Sequence, residues 1–209
     1  SLDNFVGAAK YVKHLTPHER SATWNLDCVG HLGIKGVPVA TEDRATFYRL
    51  KNDGQVLQIL GDIEQGFAAR LRTLIEDNPK VTTVALGSGG GYVNEAIEAG
   101  RYIRARGLKT TLWNNCFSAC PLVFIGGVER LVWSPYPQLG FHKFYTPSGA
   151  IPPTSSVYRE VAVYVSQMGV SSRFVLQKIF SAEPSHVFVI RRPAELCDSN
   201  IATWVQRIC

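Results

Sequence analysis

Val81-Thr82-Thr83-Val84-Ala85-Leu86-Gly87-Ser88-Gly89-Gly90-Gly91 joins an apolar run to a knot of glycines, and its reading decides the fold. Val81 to Leu86 has the length and β-branched content of a strand. The glycines supply a tight turn, and Tyr92 to Arg106 continues with the 3.6-residue period of a helix. The same switch of period recurs in both directions from this unit. Upstream, Val56-Leu57-Gln58-Ile59-Leu60 predicts a strand, and Phe67, Leu71, Leu74 and Ile75 share one face of a helix. Downstream come a strand from Lys109 to Trp113, an apolar helix from Ser118 to Ile125, and short strands around Arg130–Trp133 and Gln138–Phe141. Thr146 to Ser156, with Pro147, Pro152 and Pro153, predicts a loop leading into one long helix from Val157 to Phe180. A strand from Val187 to Ile190, a short helix opened by Pro193 and a tail from Ile201 to Val205 close the chain. Alternation of this kind is the mark of an α/β domain.

The first fifty residues read differently and form an N-terminal extension (1–50) to the α/β domain (51–209). Phe5, Ala9, Val12 and Leu15 recur at helical spacing, and Thr16-Pro17-His18-Glu19 reads as a capping box with proline at the first helical position. Two short helices are expected there. His14 and His18 stand four apart, but the Thr16-Pro17 helix start falls between them and argues against a shared metal. Tyr48–Leu50 and Val56–Leu60 flank Asn52-Asp53-Gly54, a turn signal that predicts a β-hairpin.

Composition narrows the function classes. Of 209 residues, 45% are hydrophobic and 19% charged, which supports a buried core and excludes a disordered chain. The 22 basic and 17 acidic residues leave +5, with no basic cluster larger than pairs such as Arg191-Arg192, so no nucleic-acid interface is expected. No run approaches the roughly 20 apolar residues that span a bilayer. The chain begins at Ser1, which is compatible with a signal peptide or membrane anchor upstream. Cys28, Cys116, Cys120, Cys197 and Cys209 include no C-x-x-C pair, so structural zinc is not expected.

Two segments carry chemistry. Gly87 to Gly91 ends a strand and opens a helix, where backbone amides face outward toward an anion. A dinucleotide fingerprint would need a third glycine at position 92, which is Tyr, and the Lys-Ser/Thr pair of a P-loop is absent. What remains is a close-packed turn or an oxyanion hole. Asn114-Asn115-Cys116-Phe117-Ser118-Ala119-Cys120-Pro121 places Ser118 between a strand and a helix, as a helix cap or as a nucleophile. His142, at the end of the strand Leu139-Gly140-Phe141, stands where a general base would.

Glycine loop, serine at a strand-to-helix turn and histidine at a strand end follow one another here as in the ClpP/crotonase superfamily. The chain resembles in particular the proteolytic subunit of the Clp protease and its bacterial extracytoplasmic relatives, over roughly residues 56 to 205. Val56-Leu57-Gln58-Ile59-Leu60-Gly61-Asp62-Ile63 is similar to the family's first core strand. Leu86 to Gly91 is similar to its N-S-P-G-G loop, Gly140-Phe141-His142 to the strand bearing its base, and Arg192-Pro193-Ala194-Glu195-Leu196 to its T-P-E-E-A helix. The resemblance implies a repeated ββα superhelix and a serine hydrolase of the peptidase class that needs no cofactor or metal. Ser118 would be the nucleophile, His142 the base, and the amides of Gly91 and Ala119 the oxyanion hole.

The sequence departs from the pattern at two places. Gly89 replaces the loop proline, and Ser181 to His186 holds no aspartate where the third triad member belongs. Glu183 is the nearest carboxylate, with Ser185, a bare Ser-His dyad, or the more distant Asp198 as alternatives. Cys116 and Cys120 bracket Ser118 as structural residues, and pairing either with Cys28, Cys197 or Cys209 would suit a periplasmic or otherwise extracytoplasmic location. The expected partners are a peptide or protein substrate and further copies of the chain, because relatives assemble into rings or smaller oligomers. The competing expectation is a catalytically silent scaffold that binds peptides or partners in the same groove. A nucleotide-binding domain, with phosphate at Gly87–Gly91, is the third.

Overall fold

The computed structural model describes Arg20, residues 47–133 and residues 137–209. The two helices expected near the N-terminus, with His14, His18 and Cys28, lie outside the described residues. The hairpin forms as the turn signal predicts: β1 (Phe47–Lys51) pairs antiparallel with β2 (Val56–Leu60). Asn52, Asp53 and Gly54 all take left-handed φ values in the turn between them, which these residue types tolerate best.

From β2 onward the sheet turns parallel. β3 (Thr83–Ser88), β4 (Lys109–Phe117), β5 (Arg130–Val132) and β10 (Trp204–Val205) complete the order β1-β2-β3-β4-β5-β10. The sheet forks at β4. Its first half, Thr110 and Thr111, pairs with β5, while its far end, Cys116 and Phe117, pairs with β6 (Leu139–Phe141). β6 in turn pairs antiparallel with β9 (Phe188–Val189). This fork positions the candidate site, because Ser118 and His142 each follow the last residue of a neighbouring strand in the same direction.

Helices α1 (Phe67–Asp77), α2 (Val93–Ala105) and α3 (Cys120–Ile125) pack in succession, α1 on α2 and α2 on α3. Leu57, Ile59, Val84, Leu86 and Leu112 from the strands meet Leu71, Ile75, Ala96, Ala99 and Ile103 from the helices in a continuous core. All six residues of α3 are buried, so a helix of under two turns is held by packing rather than by its own hydrogen bonds. Burying each large aliphatic side chain here contributes about 1.5–3 kcal/mol. The first turn of α1 has no capping side chain of its own. Glu95 of α2 provides one from outside: Gly66 N–H and Ala68 N–H donate to its carboxylate at 3.1 and 3.0 Å. A negative charge at that end also suits the helix dipole.

Three elements differ from their sequence reading. The strand expected to stop at Trp113 runs on to Phe117, because β4 bulges: Leu86 lies opposite Leu112, but Ser88 lies opposite Cys116. The helix expected from Ser118 therefore starts at Cys120. The single helix expected over 157–180 is two, α4 (Ser156–Gln167) and α5 (Ser172–Phe180), broken at Gly169 with φ 74°. Ser171 recaps the chain, its hydroxyl accepting from Phe174 N–H. The loop before α4 contains a small exposed hairpin, β7 (Tyr145–Thr146) and β8 (Gly149–Ala150). The helix opened by Pro193 is α6 (Pro193–Asp198).

Candidate active site

Ser118 sits in the two-residue turn between β4 and α3, half-buried, with φ 61°. A non-glycine residue in that region costs of order 1–3 kcal/mol and persists where its surroundings hold it. Here they hold it on three sides. Ser118 N–H donates to Gly140 O of β6 at 3.0 Å. Gly90 presses against the side chain so closely that a β-carbon on it would lie 2.4 Å from Ser118 Cβ and 2.9 Å from its Oγ. Third, a disulfide joins Cys116 to Cys120 across the turn.

The glycine loop is locked with equal care. Gly90 N–H donates to Ser88 Oγ at 3.0 Å. Gly90 O accepts from Ile63 N–H at 2.7 Å, and Tyr92 N–H donates to Ile63 O at 2.8 Å. Those bonds on either side bring Gly91 alongside Ile63 as an isolated parallel bridge. A β-carbon on Gly91 would stand 2.2 Å from Ile63 O, and its φ is 140°, so both space and backbone require glycine. Gly90 would also approach Ala119 N at 3.1 Å with a β-carbon. The structure thus brings the Gly90–Gly91 loop and the Ser118–Ala119 turn together.

His142 lies one residue beyond β6 and is nearly buried. Its Nδ1 is 2.7 Å from the carbonyl oxygen of Lys143. A carbonyl can only accept, so Nδ1 carries the proton and the neutral ring keeps its lone pair at Nε2. Tyr145 packs its ring 5.9 Å from the imidazole and is largely exposed.

Glu183, the expected third member, is placed otherwise. Its carboxylate is exposed and takes the ammonium of Lys143, while the ring nitrogen it was expected to orient is met by a main-chain carbonyl. Lys143 N–H donates to Ala182 O at 3.0 Å, so the segment carrying Glu183 is stitched to the base by backbone. Ser185 is engaged with the neighbouring His186 ring at 2.9 Å. Asp198 is exposed at the end of α6.

The cysteines pair differently from the pairings weighed on sequence. Cys116 joins Cys120, and Cys197 joins Cys209. Sequence reasoning also passed over Ser88 and Lys143. A lone serine inside a glycine run is the signal that would have marked Ser88, since a hydroxyl there is free to bond its own loop.

Comparison with known proteins agrees on the fold. ClpP1 from Listeria monocytogenes and a point mutant of it superpose with TM-scores of 0.53 and 0.56 at 16% and 15% identity, each match covering 73% of this chain and 91% of the other. A peptidase from Plasmodium falciparum gives 0.52 at 7% identity, over 73% of this chain and 96% of its own. No protein-family model and no curated protein matches the chain. The fold is that of ClpP.

Proposed function

We infer that the chain is a serine hydrolase, a peptidase by substrate class, in which Ser118 attacks and His142 takes its proton. The observation that carries this reading is the contact between Gly90 and Ser118. A glycine loop with no side chain lies directly on a serine held at positive φ, with Gly90 against both the Ser118 hydroxyl and the Ala119 amide.

Substrate carbonyl carbon would bond to Ser118 Oγ as the hydroxyl proton passes to His142 Nε2, and the carbonyl oxygen would gain negative charge. The Gly91 and Ala119 N–H groups would bond that oxyanion, each typically lowering the barrier by about 2.7–4 kcal/mol. The imidazolium then returns its proton to the leaving amine or alkoxide, and water repeats the sequence to release the acyl group. Lys143 O holds the ring in the productive tautomer, which is one of the two services of a triad aspartate. The other, a negative charge opposite the imidazolium, is not something the Lys143 carbonyl can supply. Replacing a triad aspartate by a neutral group that imposes the wrong tautomer costs about four orders of magnitude. Here the tautomer is right, so a slow hydrolase is expected.

The test is labelling with a fluorophosphonate, read by intact mass, on the wild type and Ser118→Ala. One adduct, lost in the variant, supports the reading. No adduct on a folded wild-type protein overturns it and favours a silent module that binds peptides in the same groove, for which the main-chain carbonyl, rather than a carboxylate, at His142 Nδ1 is the motive. Placement in the periplasm and assembly into oligomers remain part of the same proposal.

A further inference from the structure

We propose that Cys116 and Cys120 are positioning residues for the nucleophile, and that their disulfide holds Ser118 in its attacking conformation. The inference rests on the reading of Ser118 given above. The bond spans a separation of four residues with Ser118 at its midpoint, and both cysteines are fully buried.

Each end of the bond is also anchored by the fold. Cys116 is clamped in the sheet: it lies opposite Ser88 of β3 and Leu139 of β6, and its N–H donates to Gln138 O at 2.9 Å. Cys120 is the first residue of α3, whose every side chain is in the core. The sheet and the core therefore restrain the strand end and the helix start on either side of the turn. Between those anchors lies the turn, where Ser118, bonded through its N–H to Gly140 O, takes φ 61° without a glycine to make it cheap. Joining the two sulfurs holds strand end and helix start close across a turn that already strains its serine. Ser88, opposite Cys116, also accepts from Gly90 N–H, so the same clamp reaches the glycine side of the site. The other disulfide, Cys197–Cys209, ties α6 to the C-terminus and spans no part of the candidate site.

Reduction of the bond by a dithiol has a simple balance. A thiolate of dithiothreitol attacks one sulfur, and the other cysteine leaves and takes a proton. The reagent's second thiol then displaces the first cysteine and departs as a cyclic disulfide, so two electrons and two protons reach the protein.

The test uses the full chain carrying Cys197→Ser and Cys209→Ser, so that Cys116–Cys120 is the reducible bond among the described residues. Fluorophosphonate labelling at Ser118 and turnover of a p-nitrophenyl ester are followed before reduction, after it, and after reoxidation, with thiols counted by alkylation and intact mass. The expected result is a labelling rate and kcat lower by on the order of ten- to a hundredfold on reduction. KM is little changed, far-UV circular dichroism is unchanged, and reoxidation restores the rate. If the disulfide merely stabilises the fold, its reduction would lower the melting temperature and leave the labelling rate alone well below it, and that result overturns the proposal while the hydrolase reading stands. Absence of labelling in the oxidised protein overturns both. Cys116→Ala with Cys120→Ala gives the same comparison without a reductant, and reduction of the intact bond decides the matter if that variant does not fold.

Discussion

The two flanks of the candidate site are built from different materials. On one side, Gly90, Gly91, Ser118 and Ala119 are set by main-chain bonds to Ile63 and Gly140, by a hydroxyl on Ser88 and by a covalent bond between sulfurs. On the other, His142 is set by a single carbonyl, while Lys143, Glu183 and Tyr145 surround it as exposed or half-exposed side chains. The difference teaches where substitutions will matter. Backbone donors are preorganised and tolerate no added atoms, whereas a surface ion pair is worth about 0–1 kcal/mol and is easily replaced by water.

The comparison breaks most completely at its centre. Ser118→Ala should abolish fluorophosphonate labelling and lower ester or peptide turnover by up to about six orders of magnitude, leaving the fold intact because Ala accepts the same turn with the loss of one hydroxyl. Intact mass and turnover measured on the same preparation check it. Gly91→Ala comes next. Its β-carbon would meet Ile63 O at 2.2 Å, so the loop must move, and displacing one oxyanion donor costs about two to three orders of magnitude in kcat. A Gly91→Ala protein with wild-type kcat would show that this flank does not bind an oxyanion.

How much of this could be read from sequence follows the same division. The strands and helices of residues 56–133 were legible because their apolar periods agree with their burial. The Ser118 turn was legible as a strand-to-helix junction, but its limits were not. Asn114 and Asn115 look like the end of a strand, yet both are buried: Asn115 Oδ1 accepts from Gln138 N–H and Asn114 Oδ1 from Asn115 N–H, inside the bulge. Polar side chains that bond backbone of their own strand or of the segment beside it carry no hydropathy signal. Gly169 and Ser171 were visible as stop and start, but the apolar stripe running through both hid the break between α4 and α5. The environment of His142 was the least legible. Which carboxylate meets which cation depends on side-chain reach across the Lys143–Ala182 contact, and there Glu183 pairs with Lys143.

A third substitution separates the two disulfides. Cys197→Ser with Cys209→Ser removes a bond between residues twelve apart, and the chain-entropy cost of opening such a loop is about 3 kcal/mol. For a chain of this size that corresponds to roughly 6–12 °C in melting temperature. Labelling at Ser118 well below the transition should be unchanged, since the bond fastens α6 and the C-terminus rather than the turn. Differential scanning calorimetry and the labelling rate, taken together, decide whether stability and reactivity are carried by separate bonds.

The smallest effect should come from the residue that sequence pointed to as the third member of the triad. Glu183→Gln removes the charge from an exposed ion pair with Lys143, a change of under about 1 kcal/mol in stability, and leaves the Nδ1 bond to Lys143 O in place. Turnover should therefore stay within about threefold of wild type, a difference equivalent to about 0.7 kcal/mol in the barrier. It should weaken further in high salt, where exposed charges are screened. A fall of a hundredfold or more would mean that Glu183 leaves Lys143 for the imidazolium when substrate binds, and would move the His142 flank from a set of adaptable side chains to a working triad. Measuring kcat for this variant at low and high ionic strength distinguishes the two, because a buried charge pair formed in the transition state would keep its effect in salt while a surface pair would lose it.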